Sequence, residues 1–447
     1  MLMNRSSFAL CAFACAVFVL SGCDSGGREA PPKVSVRVAN VAPGFAELRF
    51  QREQDGNPNR SPTLGFKNTF EFSYDADTYD FFVFARSLDL NTAGRSWTFA
   101  PELEEGLGYT FVLTEVGTEV VPVVLSYPAA PASDAQIVAL HAGSGLPALD
   151  LYLERPGVGI AGATPRGTFA AHEQVGPATL ASGEYELVLT AAGDPSTVFA
   201  STTTITLPAG TTSVIVVVPE GGQGPQPLSV MLAQGASTSV LYDRAANGEL
   251  RVINAAADQA PRDVAINNEF APPLFSAVPF AEPTAYLPTP VGSQPIAVTP
   301  VGNPGVLELN QNYTGIVDQR TTLLFAGPAG TLQPAFAADD GRRIHDEARL
   351  RFMNAATQFT AIDFVVTLPD ESPEGVEALR RLAAPGIADF NSFATGDYDI
   401  YLRQPDATAL LSGPTRITLA AEGRYEILAV NGPDATTAGV VLLADFP

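Results

Sequence analysis

The same strand–turn–strand pattern occurs four times in the chain, and this repetition constrains the fold more than any other feature. Each copy has alternating apolar residues, then Asn or His, a turn of small residues, and an acidic residue that opens a second alternation. The copies are Arg37–Phe50, Ile137–Leu153, Arg251–Ile266 and Arg349–Val365. Alternation of this kind predicts half-buried β-strands. We therefore interpret each copy as the opening hairpin of a domain.

The Asn or His position recurs at domain spacing. Asn40, His141, Asn254 and Asn354 are separated by 101, 113 and 100 residues, whereas solenoid repeats recur about every 20–50 residues. The spacing predicts an all-β chain with four tandem immunoglobulin-like β-sandwich domains. They are repeat 1 (34–127), repeat 2 (134–243), repeat 3 (248–336) and repeat 4 (347–447), joined by Pro128–Ser133, Arg244–Asn247 and Ala337–Asp346.

One segment of repeat 4 has helical features. Ser372–Glu374 supplies an N-cap residue, a first-turn Pro and an early acid. Val376, Leu379 and Leu382 then follow at helical spacing, with Glu377 near Arg380 and Arg381. This pattern predicts one short helix inserted between strands of the last domain.

The N-terminus has the pattern of a processing signal. Arg5 provides a positive charge, and Phe8–Leu20 is a small and apolar run, shorter than the roughly 20 residues of a membrane span. The run ends in Leu20–Cys23, Leu-Ser-Gly-Cys, which resembles the bacterial lipobox. This resemblance implies a lipoprotein signal peptide over residues 1–22, cleavage before Cys23, and acyl chains on Cys23.

Residues 23–33 then form a lipid-anchored tether, and the mature protein is expected in the cell envelope, facing the periplasm or the cell surface. Asp24 resembles the inner-membrane retention signal of enteric bacteria, a rule that does not hold in all bacteria, so both inner and outer membrane stay open. Cys11 and Cys15 leave with the signal peptide, and Cys23 is consumed by lipid. The mature domains are therefore expected to be held by burial, without disulfides.

The charge balance restricts the partners. The formal net charge is −23, from 25 Lys and Arg against 48 Asp and Glu. Such a surface repels phosphate backbones and anionic headgroups, so no nucleic-acid partner is expected. Membrane attachment must then come from the acyl chains on Cys23, and several chains exceed the marginal binding of one.

A Gly-x-Tyr step precedes several of the predicted strands. It occurs at Gly183–Tyr185, Gly396–Tyr398 and Gly423–Tyr425, with a version one residue longer at Gly106–Tyr109. In Greek-key sandwiches a similar Tyr packs on the core while its hydroxyl bonds a backbone group upstream. Tyr79 and Tyr313 keep the Tyr without the Gly. We favour this structural role over ligand stacking.

Each copy of the repeated pattern pairs an Asn or His with a downstream acid. The pairs are Asn40 with Glu47, His141 with Asp150, Asn254 with Asp263, and Asn354 with Asp363. An amide and a carboxylate at one sheet end could hold a cation or a sugar hydroxyl. Asn and Asp also satisfy backbone groups in turns. Fourfold recurrence favours the turn role, because a specific site is rarely needed four times.

The order of these motifs resembles the bacterial family "domain of unknown function 4397": Arg-x-x-Asn-Ala, an acid with an alternating strand, a Gly-x-Tyr strand, and a Leu before a second Gly-x-Tyr strand. The resemblance covers nearly all of 34–447 and is best in repeats 3 and 4. Repeat 2 has Val138 and His141 in place of Arg and Asn, and repeat 1 has Val41 after its Asn and Glu47 for Asp. The resemblance implies secreted or lipid-anchored tandem β-sandwiches. It supplies no catalytic residues.

Other chemistry is not indicated. The three His residues, at positions 141, 172 and 345, lie in different segments, and His172-Glu173 lacks the second His of a zincin. Acidic clusters that could ligate Ca²⁺ weakly lack the spacing of a calcium loop; they are Asp75, Asp77, Asp80, Asp339 and Asp340. We predict no catalytic, cofactor or metal residues, and interpret Trp97 as a core or interface residue.

These features together predict a non-catalytic, lipid-anchored protein of the cell envelope, with tandem β-sandwich modules for display, adhesion or binding of a protein or glycan ligand. One alternative is a carbohydrate-active enzyme that uses a carboxylate pair in one repeat. Another is an accessory subunit of an envelope complex.

Overall fold

A computed structural model describes residues 32–54, 57–86, 88 and 94–444. Over these ranges the chain forms strands and turns and contains no helix. It follows that no described segment is a helix able to span a membrane. The signal sequence 1–22, Cys23 and the tether up to residue 31 lie outside the described residues.

The strands of the first two repeats follow the chain in order. Repeat 1 contains β1 (Lys33–Asn40), β2 (Glu47–Gln54), β3 (Asn57–Gly65), β4 (Thr69–Asp75), β5 (Asp80–Ala85), β6 (Ser96–Phe99), β7 (Leu107–Val116) and β8 (Glu119–Pro128). Repeat 2 contains β9 (Asp134–His141), β10 (Leu149–Glu154), β11 (Gly167–Phe169), β12 (Gln174–Ala181), β13 (Gly183–Ala191), β14 (Asp194–Ser201), β15 (Ile205–Leu207), β16 (Thr212–Pro219), β17 (Leu228–Gln234) and β18 (Ser237–Leu241).

The last two repeats have a similar series of strands. Repeat 3 contains β19 (Gly248–Ala256), β20 (Arg262–Ile266), β21 (Phe275–Val278), β22 (Leu287–Thr289), β23 (Gly292–Pro300), β24 (Leu309–Gly315), β25 (Arg320–Gly327) and β26 (Gln333–Asp339). Repeat 4 contains β27 (Glu347–Asn354), β28 (Ala361–Thr367), β29 (Arg380–Ala383), β30 (Gly386–Ile387), β31 (Asn391–Ala394), β32 (Gly396–Arg403), β33 (Leu410–Leu419), β34 (Arg424–Asn431) and β35 (Ala438–Ala444).

Each repeat folds into two sheets that face each other across a core. The first sheets have the strand orders β4-β1-β7-β8, β12-β9-β16-β17-β18, β22-β19-β25-β26 and β30-β27-β34-β35. The second sheets have the orders β3-β2-β5-β6, β11-β10-β13-β14, β21-β20-β23-β24 and β29-β28-β32-β33. In every first sheet the opening strand runs parallel to one neighbour, as β1 does to β7. This confirms the predicted tandem β-sandwiches, although the strand order differs from that of antibody constant domains.

The repeated strand–turn–strand pattern is not a hairpin, so that interpretation is wrong. Its first strand belongs to the first sheet and its second strand to the facing sheet, as β19 and β20 show. The turn between them therefore carries the chain across the sandwich. Alternation alone could not distinguish a hairpin within one sheet from a crossing between two sheets, because both arrangements place one face of each strand on the core.

Each sandwich has its own apolar core between its sheets. In repeat 1, Phe50 and Phe81 stack at 5.2 Å between ring centroids, and Phe111 meets Phe81 edge-on at 5.1 Å. Burial of a side chain of this size stabilises the fold by about 1.5–3 kcal/mol. Trp97 packs at the margin of this core and donates its indole N–H to Glu119.

The repeats also share apolar cores in pairs. The first sheets of repeats 1 and 2 pack against each other through residues such as Val112, Leu140 and Val216. Those of repeats 3 and 4 pack through a second set that includes Ile253 and Leu428. Both faces of these sheets are therefore buried, which explains the unbroken apolar runs of their central strands.

The predicted helix in repeat 4 is absent. Ser372–Leu379 forms turns, with Gly375 in the left-handed region at φ 78°. The predicted last helical turn is instead strand β29. There Arg381 pairs with Asp363 of β28 in register, and its Nε and Nη2 atoms donate to the Asp363 carboxylate at 2.7 and 3.0 Å. A segment of this length gains little from helix formation alone, so strand pairing and the ion pair decide its conformation.

The join between repeats 3 and 4 packs on repeat 1. The His345 backbone N–H donates to the Gly44 carbonyl at 2.8 Å, and the Arg342 guanidinium donates to the Phe45 carbonyl at 3.3 Å. A Cβ at position 44 would overlap the His345 ring, so this approach requires glycine. Repeats 2 and 3 meet where the Gln226 N–H donates to Asp318 at 2.9 Å. The four repeats therefore form one block.

Candidate functional site

The Asn of the repeated pattern holds the crossing turn together. Asn254 is fully buried; its side-chain oxygen accepts from the Ala256 N–H at 3.0 Å, and its amide donates to the carbonyls of Ala260 and Val278 at 2.9 and 3.0 Å. Equivalent bonds are made by Asn40 to Ala42 and Leu64, by Asn354 to Ala356 and Leu382, and by His141 to Gly143 and Pro147. The side-chain hydrogen bonds of Asn254 all go to backbone groups, which supports the turn role over ligand binding.

Replacing Asn254 with Ala is expected to lower the free energy of unfolding by about 2–4 kcal/mol, because several buried backbone groups lose their partners. Asn303→Ala is the matched control, since Asn303 lies in an exposed turn of the same repeat and should change stability by less than about 0.5 kcal/mol. Chemical denaturation measures both variants. Equal stabilities for the two variants would contradict the turn role.

Three of the four downstream acids also serve backbone or neighbouring side chains. Asp263 accepts from the N–H groups of Ala277 and Gly302 at 2.8 and 2.9 Å, Asp150 accepts from Gly193 at 2.8 Å, and Asp363 pairs with Arg381. Glu47 of repeat 1 differs, because its side chain is exposed and lines a cleft. Of the four acids, Glu47 is therefore the one whose side chain is available to contact a ligand.

The tyrosines of the Gly-x-Tyr steps, and Tyr79, which lacks the Gly, bond the backbone upstream of them, as the corner motif requires. The hydroxyl groups of Tyr79, Tyr185 and Tyr398 donate to the carbonyls of Asp75, Ala181 and Ala394. Those of Tyr109 and Tyr425 accept from the N–H groups of Glu104 and Ala420. Tyr313 instead meets the Thr289 hydroxyl at 3.1 Å. These rings are structural.

Three of the five acids considered for Ca²⁺, Asp75, Asp339 and Asp340, pair with basic side chains. Asp339 lies in a buried ion cluster with Arg351, and Asp75 pairs with Lys33 at 2.5 Å. Burial opposes ionisation of Asp340, but the hydrogen bond and charge of Arg342 and the charge of Arg349 lower its pKa to about 2. Among the described residues, no group of three or more His, Cys, Asp or Glu side chains could hold a metal ion.

A cleft lies between repeats 1 and 4, beside the join that connects repeats 3 and 4. One lobe has a volume of about 400 Å³ and is lined by residues that include Phe45, Arg95 and His345. The other has about 460 Å³ and includes Arg342 and Arg349. The lobes share six residues: Ala46, Glu47, Arg86, Leu88, Ile344 and Glu347. Clefts of a few hundred Å³ suit small ligands.

The middle of the cleft combines charge with an unsatisfied buried carboxyl. Glu347 is only 5% exposed, and its Oε2 atom has no hydrogen-bond partner among the described residues. Burial raises the pKa of Glu347, aided by the nearby charge of Glu47 and opposed by a Ser392 hydrogen bond and the charges of Arg86 and Arg349. A carboxyl with a raised pKa can donate a hydrogen bond. Perturbed groups of this kind mark candidate functional sites.

His345 ties the two walls of the cleft together. Its Nε2 lies 2.9 Å from Glu115 of repeat 1, and its Nδ1 lies 2.7 Å from Glu422 of repeat 4. The hydrogen bond to Glu115 raises the pKa of His345; burial opposes this, and the bond to Glu422 adds to it. When protonated, both ring nitrogens donate, so the ring bridges two carboxylates.

The His345 bridge predicts a pH-dependent stability. Because the folded pKa is raised, its stabilisation is fully present below the unfolded value of roughly 6.5 and is lost as pH rises through the folded value. The difference in free energy of unfolding between the wild type and His345→Gln should therefore be largest near pH 5.5 and smallest near pH 9. His172→Gln is the control, since His172 makes no bridge between carboxylates. A difference that is constant with pH would contradict the bridge.

Sequence reasoning missed this cleft. The repeated pattern assigns Glu47 to the turn role with the other acids, His345 is one of three His residues in separate segments, and no motif contains Arg86 or Glu347. The departure of Glu47 from Asp in repeat 1 was the available signal. The partner Glu347 is 300 positions away in the numbering, so no local pattern relates the two.

Residues 248–365 match the family model described as "Domain of unknown function (DUF4397)". The resemblance to DUF4397 is confirmed. The matched part spans repeat 3 and enters the second strand of repeat 4. Comparison with curated proteins gives no match.

Solved structures show only distant likenesses to the chain. The Bacillus anthracis TIE protein is 12% identical, with 89% of this chain and 68% of that one covered and a TM-score of 0.16. A family CBM26 module of Eubacterium rectale Amy13K, in complex with maltoheptaose, is 11% identical over 48% and 97%, with a TM-score of 0.15. The Lactobacillus rhamnosus GG pilus adhesin SpaC is 12% identical over 92% and 40%, with a TM-score of 0.13. Scores this low carry no argument about function.

Proposed function

We propose that the protein is a non-catalytic, lipid-anchored protein of the cell envelope that presents a block of four β-sandwiches for binding. The observation that carries the proposal is the cleft between repeats 1 and 4. Its central groups, Glu47, Arg86 and Glu347, come from two different domains, whereas the recurrent Asn and Tyr side chains are used inside single domains. Binding between domains fits a tandem protein whose repeats are held in fixed positions.

The anchoring part of the proposal rests on the Leu-Ser-Gly-Cys sequence at 20–23. A lipid on Cys23 would hold the block within about 30 Å of the membrane, the reach of the nine residues 24–32. Cells that express the chain should incorporate labelled fatty acid into it, and Cys23→Ala should abolish this labelling. If the wild-type chain incorporates no labelled fatty acid, the proposed lipid anchor on Cys23 is wrong.

The absence of catalysis is tested with the chain from residue 23 onward, carrying Cys23→Ser so that it is soluble. Incubation with a broad panel of glycans and esters is expected to yield no product. Turnover of any substrate would overturn the proposal, provided that a variant without that activity, purified in the same way, yields no product.

A specific observation favours one second candidate, a carbohydrate-active enzyme. Glu47 and Glu347 line the same cleft, and one of them is buried with a raised pKa while the other is exposed. Acid and base carboxyls of glycosidases differ in environment in this way. If glycan turnover occurs and both Glu47→Gln and Glu347→Gln abolish it, the enzyme replaces the binding protein.

A further inference from the structure

The charges around the cleft are unusual for this protein. Its formal net charge is −23, yet the second lobe gathers three guanidinium groups, those of Arg86, Arg342 and Arg349. Arg342 and Arg349 share one carboxylate, since both approach Oδ2 of Asp340 at 2.8 and 3.0 Å. Asp340 therefore serves two guanidinium groups at once, and the charge of Arg349 also acts on Glu347.

Arg86 extends this positive character to the middle of the cleft. It follows the last residue of β5, and Ala85 pairs in register with Leu48 of β2, so Arg86 and Glu47 are neighbours at the same sheet end. Arg86 is exposed, and its charge acts on the buried Glu347 carboxyl. Arg86 and Glu347 therefore line the same part of the cleft.

We propose that this cleft binds a small organic carboxylate, which Arg86 and the Glu347 carboxyl hold together. This inference rests on the proposed binding function and names its ligand class. The guanidinium fork matches a carboxylate in a bidentate geometry. When Glu347 is protonated, its carboxyl can donate a hydrogen bond to the ligand. This bond would give the Oε2 atom the partner that it lacks among the described residues.

Proton linkage follows from this arrangement. Two carboxyl groups at hydrogen-bond distance cannot both be ionised without a cost, so a bound carboxylate raises the pKa of Glu347 further. Binding therefore takes up a proton and is favoured by acid. The other titratable or charged groups that line the cleft are Glu47, Arg95, Arg342, His345, Asp346 and Arg349. The hydrogen bond to Glu115 raises the pKa of His345, so His345 also takes up a proton in acid.

A competing ligand, a divalent cation between Glu47 and Glu347, fits less well. Arg86 and Arg349 act on the same carboxyl and would repel the cation. A neutral sugar would not form an ion pair with the exposed Arg86 guanidinium. Both remain outcomes of the test.

The test is calorimetric titration of the Cys23→Ser chain with succinate, citrate and D-glucuronate, with D-glucose and Ca²⁺ as comparisons. We expect at least one carboxylate to bind at least tenfold more tightly at pH 5.5 than at pH 8. Its binding heat should change with the ionisation enthalpy of the buffer, as proton uptake requires. D-glucose and Ca²⁺ should not compete with it.

Three variants separate the roles of the groups. Arg86→Gln should weaken carboxylate binding at least tenfold, and Glu347→Gln should retain binding but lose its pH dependence, because the amide donates without a proton. Arg49→Gln is the matched control, since Arg49 is an exposed arginine of β2 outside the lining residues. Thermal melting verifies that each variant is folded.

The results have distinct meanings. Absence of binding by all three carboxylates, equal binding of D-glucose, Ca²⁺ binding that Glu347→Gln abolishes, or an Arg86→Gln variant with unchanged affinity would each overturn the carboxylate site. The proposed binding function does not require that the ligand is a carboxylate, so none of these results overturns it. Turnover of a glycan or ester would overturn that function, even with the carboxylate site intact.

Discussion

Replacing Arg351 with Met is expected to lower the free energy of unfolding by about 3–5 kcal/mol. Arg351 and Arg251 lie between repeats 3 and 4, each only 1% exposed, and together they balance Asp339 and Glu426. Arg351 donates to Glu426 and Asp339 at 2.5 Å each and to the Thr322 hydroxyl at 3.0 Å. Its loss leaves two buried carboxylates beside one guanidinium.

A double variant separates charge imbalance from lost packing. Arg351→Met with Glu426→Gln leaves Arg251 beside Asp339, so the buried charges balance again. We expect the double variant to recover at least half of the lost stability in chemical denaturation. If it is as unstable as the single variant, the buried charge balance is not what holds repeats 3 and 4 together.

Replacing Lys67 with Met should destabilise the contact between repeats 1 and 2 by a similar amount, about 3–5 kcal/mol. The Lys67 ammonium donates to both carboxylate oxygens of Glu220 at 2.5 and 2.6 Å, with side chains 8% and 1% exposed. Burial lowers the pKa of Lys67, and the Glu220 charge opposes this. Burial also raises the pKa of nearby Asp318 to about 7.

The loss of stability in Lys67→Met should depend on pH. Without Lys67, the buried Glu220 carboxyl loses its hydrogen-bonded ion-pair partner. Ionisation of a buried carboxyl without such a partner costs stability, and this cost grows as pH increases. Destabilisation should therefore be larger at pH 8 than at pH 5. Lys33→Met is the matched control, because Lys33 and Asp75 form an exposed pair worth at most about 1 kcal/mol. Equal losses for both lysines would contradict the buried role of Lys67.

Local patterns predicted the elements of this fold well. Alternation gave strands on both sides of Asn254, and the tyrosine hydroxyls at positions such as 185 and 398 do bond backbone groups upstream. These features depend on residues close in sequence. The helix at 372–382 failed because its conformation is decided by β28, through Asp363 and strand pairing.

Contacts between domains could not be predicted from the repeats. The apolar strand Thr212–Pro219 is buried on both faces, but nothing in its sequence identifies repeat 1 as the partner that covers it. Likewise Glu47 and Glu347 meet because the join places the start of repeat 4 against repeat 1. The candidate site is a product of domain packing, and for that reason no motif marks it.

Small-angle X-ray scattering of the Cys23→Ser chain tests most directly whether the four sandwiches form one block, on which the cleft depends. The shared cores and the join predict a radius of gyration of about 22–27 Å, close to that of a compact domain of this length. Four independent sandwiches strung along the chain, each of about 13 Å, would give more than about 35 Å. A value in that larger range would contradict the block and the cleft between repeats 1 and 4.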